Sequence, residues 1–75
     1  MAKTFKPITE EKLAADLAKR LRDLRKELPV AQLVKATGVS RGGYDDWEAA
    51  LHLPSLRALL PIANHYGISV KELLP

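Results

Sequence analysis

Few side chains in this chain are equipped for covalent or metal chemistry. Cysteine is absent, so there is no disulfide framework and no thiolate metal site. His52 and His65 stand alone, without a carboxylate at ligand spacing, and Gly42-Gly43 is too short to cradle a phosphate. No catalytic residue, metal or cofactor is expected, and the sequence argues against an enzyme. What remains is recognition by hydrogen bonds and charge. It concentrates between Ser40 and Asp46, where a hydroxyl, the guanidinium of Arg41, two glycines and the adjacent carboxylates of Asp45 and Asp46 lie close together.

Such a segment needs a rigid mount. From Leu33 to Pro54 the chain reads LVKATGVSRGGYDDWEAALHLP, two short helices joined by a glycine turn. Leu33, Val34 and Ala36 precede Gly38, which can hold a left-handed conformation. Val39 supplies one core side chain, and Ser40 can cap the next helix by accepting from the backbone N–H groups of Arg41 to Gly43. This is a helix-turn-helix signature, and a second helix mounted in this way commonly enters the DNA major groove.

Caps and periodicity outline the other elements. Thr9 can cap a long first helix with Glu10 and Glu11 at its positive dipole end, while Ile8 and Leu13 stand at staple spacing across the cap. Leu13, Leu17, Leu21, Leu24 and Leu28 form one apolar stripe, and Pro29 ends this helix and opens a second that reaches about Thr37. The third helix is expected from about Arg41 to Ala49. The fourth runs from Leu56 to about Tyr66 and is terminated by Gly67; Ser69 and Glu72 make a capping box for a short fifth. Pro61 removes a hydrogen bond inside the fourth helix and crowds the carbonyl of Arg57, so a kink or break is expected there.

The third helix divides by periodicity into two faces. Tyr44, Trp47 and Leu51 point one way as core, with Glu48 at their edge, whereas Gly42, Asp45, Asp46 and Ala49 point the other. Trp47 reads as a packing residue, and the Tyr44 hydroxyl needs a partner or water.

Bulk properties bound the answer. A chain of 75 residues can bury one modest core. No apolar run approaches a membrane span, and the N-terminus lacks the hydrophobic stretch of a signal peptide, so a cytoplasmic protein without a membrane partner is expected. Net charge is +3 with a pI near 9.5, mildly favourable for a polyanionic partner. Residues 1–40 carry nine Lys/Arg against five Asp/Glu, residues 41–50 one against three, and the remainder two against one. Positive charge therefore sits on the first helix and the N-terminal arm. On that helix, however, Lys12, Asp16 and Arg20, and Lys19, Asp23 and Glu27, interleave both signs in the manner of a solvated face.

Several of these residues carry a family resemblance. Leu17, Leu21, Leu24 and Arg25 in the first helix, Leu33 in the second, Gly38-Val39-Ser40 at the turn and Trp47-Glu48 closing the third form an ordered pattern. Pro54-Ser55-Leu56 and Gly67-Ile68-Ser69, opening the fourth and fifth helices, complete it. In order and spacing this pattern, from Leu17 to Leu74, resembles the phage repressor and Cro family of helix-turn-helix proteins, also called the XRE type. The resemblance implies an all-α, five-helix repressor-like bundle at residues 9–75, preceded by an N-terminal arm at residues 1–8. It puts base-reading positions on Ser40, Arg41, Gly42 and Asp46. Of these, Arg41 can donate two bonds to guanine O6 and N7, and Asp46 can accept from cytosine N4. Gly42 and Gly43 offer no side chain but permit close backbone approach. The resemblance also implies an ion pair between Glu48 and Arg25, tying the reading helix to its support.

The chain departs from the pattern in three places. Val30 stands where the family often has a phosphate-holding glutamine, with Gln32 two residues on. The turn after Glu48 is Ala49-Ala50-Leu51-His52-Leu53 rather than basic and glycine-rich. The connection between Arg25 and Leu33 is shorter than usual. Phosphate contacts would fall to Lys35, Arg41, His52 and Arg57, with Gln32 and with Lys3 and Lys6 on the arm. Each has the plainer alternative of an ordinary solvated side chain.

The resulting expectation is a sequence-specific, double-stranded DNA-binding transcriptional regulator acting as a homodimer through its third helix. The alternative is the same fold turned to protein contact, as in an antirepressor, an antitoxin-like partner or an assembly subunit, through the Asp45/Asp46 face. Leu51, Leu53, Leu73 and Leu74 are candidates for a self-association surface near the last helix, against the simpler alternative that they close the core, which is the expectation for Leu73.

Overall fold

The structure, a computed structural model, describes residues 9–74. The expected staple partner Ile8, the arm at residues 1–8 with Lys3 and Lys6, and Pro75 lie outside the described residues. Five helices follow in order: α1 (Glu10–Arg25), α2 (Val30–Thr37), α3 (Arg41–Glu48), α4 (Leu56–Tyr66) and α5 (Val70–Leu73). The described residues are all-helical, in the five-helix arrangement expected.

Four of the five helices begin where a short polar side chain accepts from an orphan backbone donor. Thr9 accepts from the Lys12 N–H, Ser40 from Gly43 and Ser55 from Ala58. Ser69 and Glu72 form the reciprocal capping box. Pro29 stands at the start of α2 without a side-chain cap, its fixed φ already suiting the approach to a helix. Glycines end two of the helices in the left-handed conformation, Gly38 after α2 (φ 81°) and Gly67 after α4 (φ 69°).

Leu17 and Leu21 from α1, Leu33 from α2, Tyr44 from α3, Leu59, Ile62 and Ala63 from α4 and Leu73 from α5 make one buried core. Every helix thus contributes at least one side chain to it. α3 packs between α1 and α2, and α5 closes the far side against α4 and α1. Half-buried Leu24, Leu28, Val39, Trp47, Leu53 and Ile68 seal the edges.

Four expectations are corrected. First, α1 stops at Arg25 and does not continue to Pro29. Lys26 turns the chain with φ 53° and ψ −119°, and the Leu28 N–H donates to the Arg25 carbonyl at 3.0 Å. The shortened connection leaves no room for another helical turn, and this tight turn still brings Leu28 against the core. Second, α4 runs unbroken through Pro61. Leu59, Ile62 and Ala63 around the proline are all buried, so packing holds the helix despite the missing hydrogen bond. Third, Leu51 is not core but 67% exposed, because the helix ends before it and Ala50 reverses the chain with φ 60°. Fourth, the leucines offered as an association surface separate, Leu73 closing the core as expected of it. Leu73 is fully buried and Leu53 half-buried, whereas Leu51 and Leu74 are exposed; Leu56 and Leu60 on α4, not anticipated, are exposed as well.

Candidate nucleic-acid interface

The presentation of α3 is set by its two ends. At the first, Ser40 Oγ accepts from the Gly43 N–H at 3.2 Å. A Cβ on Gly43 would lie 2.8 Å from that oxygen, so a side chain there would oblige the Ser40 hydroxyl to shift; a Cβ on Gly42 would meet nothing within 4 Å. Gly43 therefore has a local reason to be glycine and Gly42 has none within the fold.

At the other end, arginines of α1 hold Glu48 from two directions. Arg25 donates from Nε to Glu48 Oε2 at 2.6 Å and from Nη2 to Oε1 at 2.8 Å, a bidentate pair. Its remaining nitrogen, Nη1, donates to the Leu28 carbonyl at 2.8 Å. One side chain thus fixes both α3 and the α1–α2 turn. Arg22 Nη1 donates to the Glu48 backbone carbonyl at 2.6 Å, satisfying an orphan acceptor at the negative end of the α3 dipole. On the opposite side of the bundle, Arg20 Nη2 does the same for the Glu72 carbonyl in α5, at 2.9 Å. Sequence reasoning missed Arg22 and Arg20, because a backbone carbonyl acceptor carries no residue code. The only trace in the sequence was the surplus of arginines on the first helix.

Electrostatics follow from this packing. Burial alone would raise the Glu48 carboxyl, but the hydrogen bonds and charge of Arg25, with help from Arg22, outweigh it and hold the group below its ordinary value. The same hydrogen-bonded pairing raises Arg25 further. Tyr44 is fully buried, its ring edge-on to Trp47 with centroids 6.0 Å apart. Its hydroxyl and that of Tyr66 are buried without a hydrogen-bond partner among the described residues. Burial, reinforced for Tyr44 by the negative charge of Glu48, pushes both phenols upward.

The outer face of α3 is different in kind. Arg41 and Asp45 are 61% and 54% exposed and stand 3.7 Å apart, Nε to Oδ2. Asp46 Oδ2 lies 3.9 Å from His52 Nε2. Gln32, Lys35 and Arg57 are exposed on α2 and α4, and Ser40 and Gly42 are exposed on the first turn of α3. The structure brings Ser40, Arg41, Gly42, Gly43 and Asp46 onto one helix, with His52 against its end. Gln32, Lys35 and Arg57 lie on neighbouring elements, each free of side-chain partners among the described residues. No group of three potential metal ligands converges among the described residues, and no helix is long and apolar enough to cross a membrane.

Comparison with known proteins agrees with this arrangement. A family model described as a helix-turn-helix domain matches residues 16–74, covering part of α1 and all of α2 to α5. Curated proteins and solved structures give no match. With most of its length accounted for by that model, and with α2, the Gly38 turn and α3 in the corresponding geometry, the chain belongs to the helix-turn-helix domain family.

Proposed function

We propose that this protein is a sequence-specific DNA-binding transcriptional regulator of the Cro/repressor type, with α3 as the helix that enters the major groove. The observation that carries the reading is the exposed N-terminal turn of α3. Arg41 projects there beside two glycines, while the same helix is pinned to α1 through Glu48. A rigidly mounted helix with an exposed guanidinium at its leading end suits direct readout of a guanine edge. In this reading Ser40, Arg41, Gly42, Gly43 and Asp46 meet base edges, and Gln32, Lys35, His52 and Arg57 meet the phosphate backbone. Two copies bind half-sites roughly 34 Å apart, one helical turn of the duplex. The protein acts as a homodimer in the cytoplasm.

A second reading has specific support. Asp45 and Asp46 make the outer face of α3 acidic, and Leu51, Leu56 and Leu60 are exposed close by in sequence. These features favour a protein partner with a basic surface over DNA, in an antirepressor, antitoxin-like or assembly role. One experiment separates the two. Purified protein is incubated with sheared DNA from its own source at moderate salt, and the retained fragments are sequenced with Arg41→Ala in parallel. Enrichment of a short palindrome that Arg41→Ala abolishes is the expected result. Retention at background would transfer the assignment to the protein-partner reading.

A further inference from the structure

The acidic residues of α3 look out of place on a face that meets a polyanion, and this is the feature the DNA reading leaves unexplained. A carboxylate near phosphates is repelled, and an exposed ion pair such as Arg41–Asp45 adds next to nothing to folding stability. The order of the pair, cation before acid along the helix, is also the less favourable one with respect to the helix dipole. Stability is therefore a poor reason for Asp45 to be there. Its position relative to Arg41 supplies a better one.

Arg41 occupies the first turn of α3 with little to steer it. Gly42 and Gly43 beside it have no side chains, and Tyr44 points into the core. Among the described residues, Asp45 is the charged group within ion-pair distance of Arg41, and it lies on the Nε side at 3.7 Å. The two terminal nitrogens of the guanidinium therefore remain available as a fork, the part that matches guanine O6 and N7. We propose that Asp45 is a positioning residue: it holds Arg41 by Nε so that the Nη1/Nη2 edge faces a guanine, and so determines specificity at that base pair. The proposal rests on the DNA-binding reading given above. The physical basis is preorganisation. A long, freely rotating arginine loses its conformational freedom on binding, and an anchor that restricts it beforehand reduces that loss for the one geometry that reads guanine. Groove water is displaced on binding, which lowers the local dielectric and strengthens the pair at that moment. Asp46, 3.9 Å from His52, faces a different cation, so its removal takes away the same charge without touching the Arg41 pair.

The test is a selection from a pool of random duplexes, run in parallel with the unmodified protein, Arg41→Ala, Asp45→Asn and Asp46→Asn. All three substitutions are on exposed or half-exposed side chains, and helical content is checked for each. The unmodified protein should enrich a motif containing a guanine whose preference, on the order of ten- to a hundredfold for a bidentate contact, disappears with Arg41→Ala. Asp45→Asn should keep the rest of the motif while the preference at that one guanine falls by roughly three- to tenfold, even as total DNA retained rises because a repulsive charge is gone. Asp46→Asn should change preference only at the base pair Asp46 itself meets and leave the Arg41 guanine preference at its unmodified level. If Asp45→Asn raises retention with the guanine preference intact, Asp45 is only a repulsive charge and the proposal fails while the DNA reading stands. If the unmodified protein enriches no motif, the DNA reading itself fails and the proposal with it.

Discussion

The C-terminal ends of α3 and α4 close with the same hydrogen-bond pattern but with different residues. After α3, the Ala50 N–H donates to the Trp47 carbonyl at 3.2 Å and the Leu51 N–H to Asp46 at 2.9 Å. After α4, the Gly67 N–H donates to Asn64 at 3.2 Å and the Ile68 N–H to Ala63 at 3.0 Å. Both pivots are left-handed, with φ 60° at Ala50 and 69° at Gly67. Glycine adopts that conformation freely, whereas a residue with a Cβ does so against a steric cost of about 1–2 kcal/mol. The residue after the pivot differs as well: Ile68 folds back on the core, while Leu51 stands in solvent.

The difference shows where each helix gets its definition. The end of α4 is self-sufficient, made by a local residue choice. The end of α3 is strained locally and held from outside by Arg22 and Arg25. Lys26, at the end of α1, is a second non-glycine with positive φ, and the same Arg25 reaches across its turn to Leu28. Two strained turns thus depend on one arginine, which couples the proposed reading helix to its support more tightly than to its own sequence.

The largest expected effect breaks that external hold. Glu48→Gln leaves Arg25 without its charge partner and should destabilise the fold by about 2–3 kcal/mol, less than for a fully buried pair because both side chains keep some solvent. Thermal unfolding should shift down by roughly 10 °C or more. The pH profile adds an independent check. The Glu48 carboxyl titrates lower in the folded protein than its ordinary value of 4.5, so its contribution is present above that value and is lost as pH falls through the lowered one. Acid denaturation of Glu48→Gln should therefore be shallower than that of the unmodified protein; an unchanged acid limb would mean the pair does not carry α3.

The next effect swaps the pivots. Gly67→Ala should cost about 1 kcal/mol or more and Ala50→Gly should gain about 1 kcal/mol, opposite signs from the same backbone geometry. Denaturant titration of the two variants decides it, and a loss on Ala50→Gly would show that position 50 is not strained. The smallest pair sharpens the opposite end of α3. Gly42→Ala enters open space and should gain about 0.5–1 kcal/mol from helix propensity. Gly43→Ala crowds the Ser40 hydroxyl and forces it to shift, and the weakening of that cap, up to about 1 kcal/mol, should offset much of the propensity gain. Equal gains from both substitutions would show the cap to be dispensable.

How much of this was legible follows from the range of each interaction. Ser40, Ser55, Ser69 with Glu72, Gly38 and Gly67 announce their roles because a cap acts on donors or acceptors three to five residues away. Ala50 and Lys26 announce nothing, since propensity gives alanine and lysine no reason to turn left-handed. A helical period extended past the end of α3 puts Leu51 in the core, and a proline inside α4 predicts a kink or break there, whereas packing on Leu59, Ile62 and Ala63 keeps the helix continuous. Within the candidate site, the residue types of Arg41, Asp45 and Asp46 were visible from the start. Their pairing with one another and with His52 was not, because side-chain direction on an exposed face is set by neighbours rather than by spacing.

By itself the sequence determined the five helices, the N-caps Thr9, Ser40 and Ser69, two glycine terminators and the apolar stripe that buries α1, all governed by contacts within a turn or two. Only the tertiary structure decided that α1 would end early, that Arg22 would join Arg25 in holding the end of α3, that Leu51 would be exposed, and that Asp45 would stand beside Arg41. Those outcomes depend on partners distant in sequence or on the exact point where a helix stops, and both are fixed when the core closes, not by local propensity.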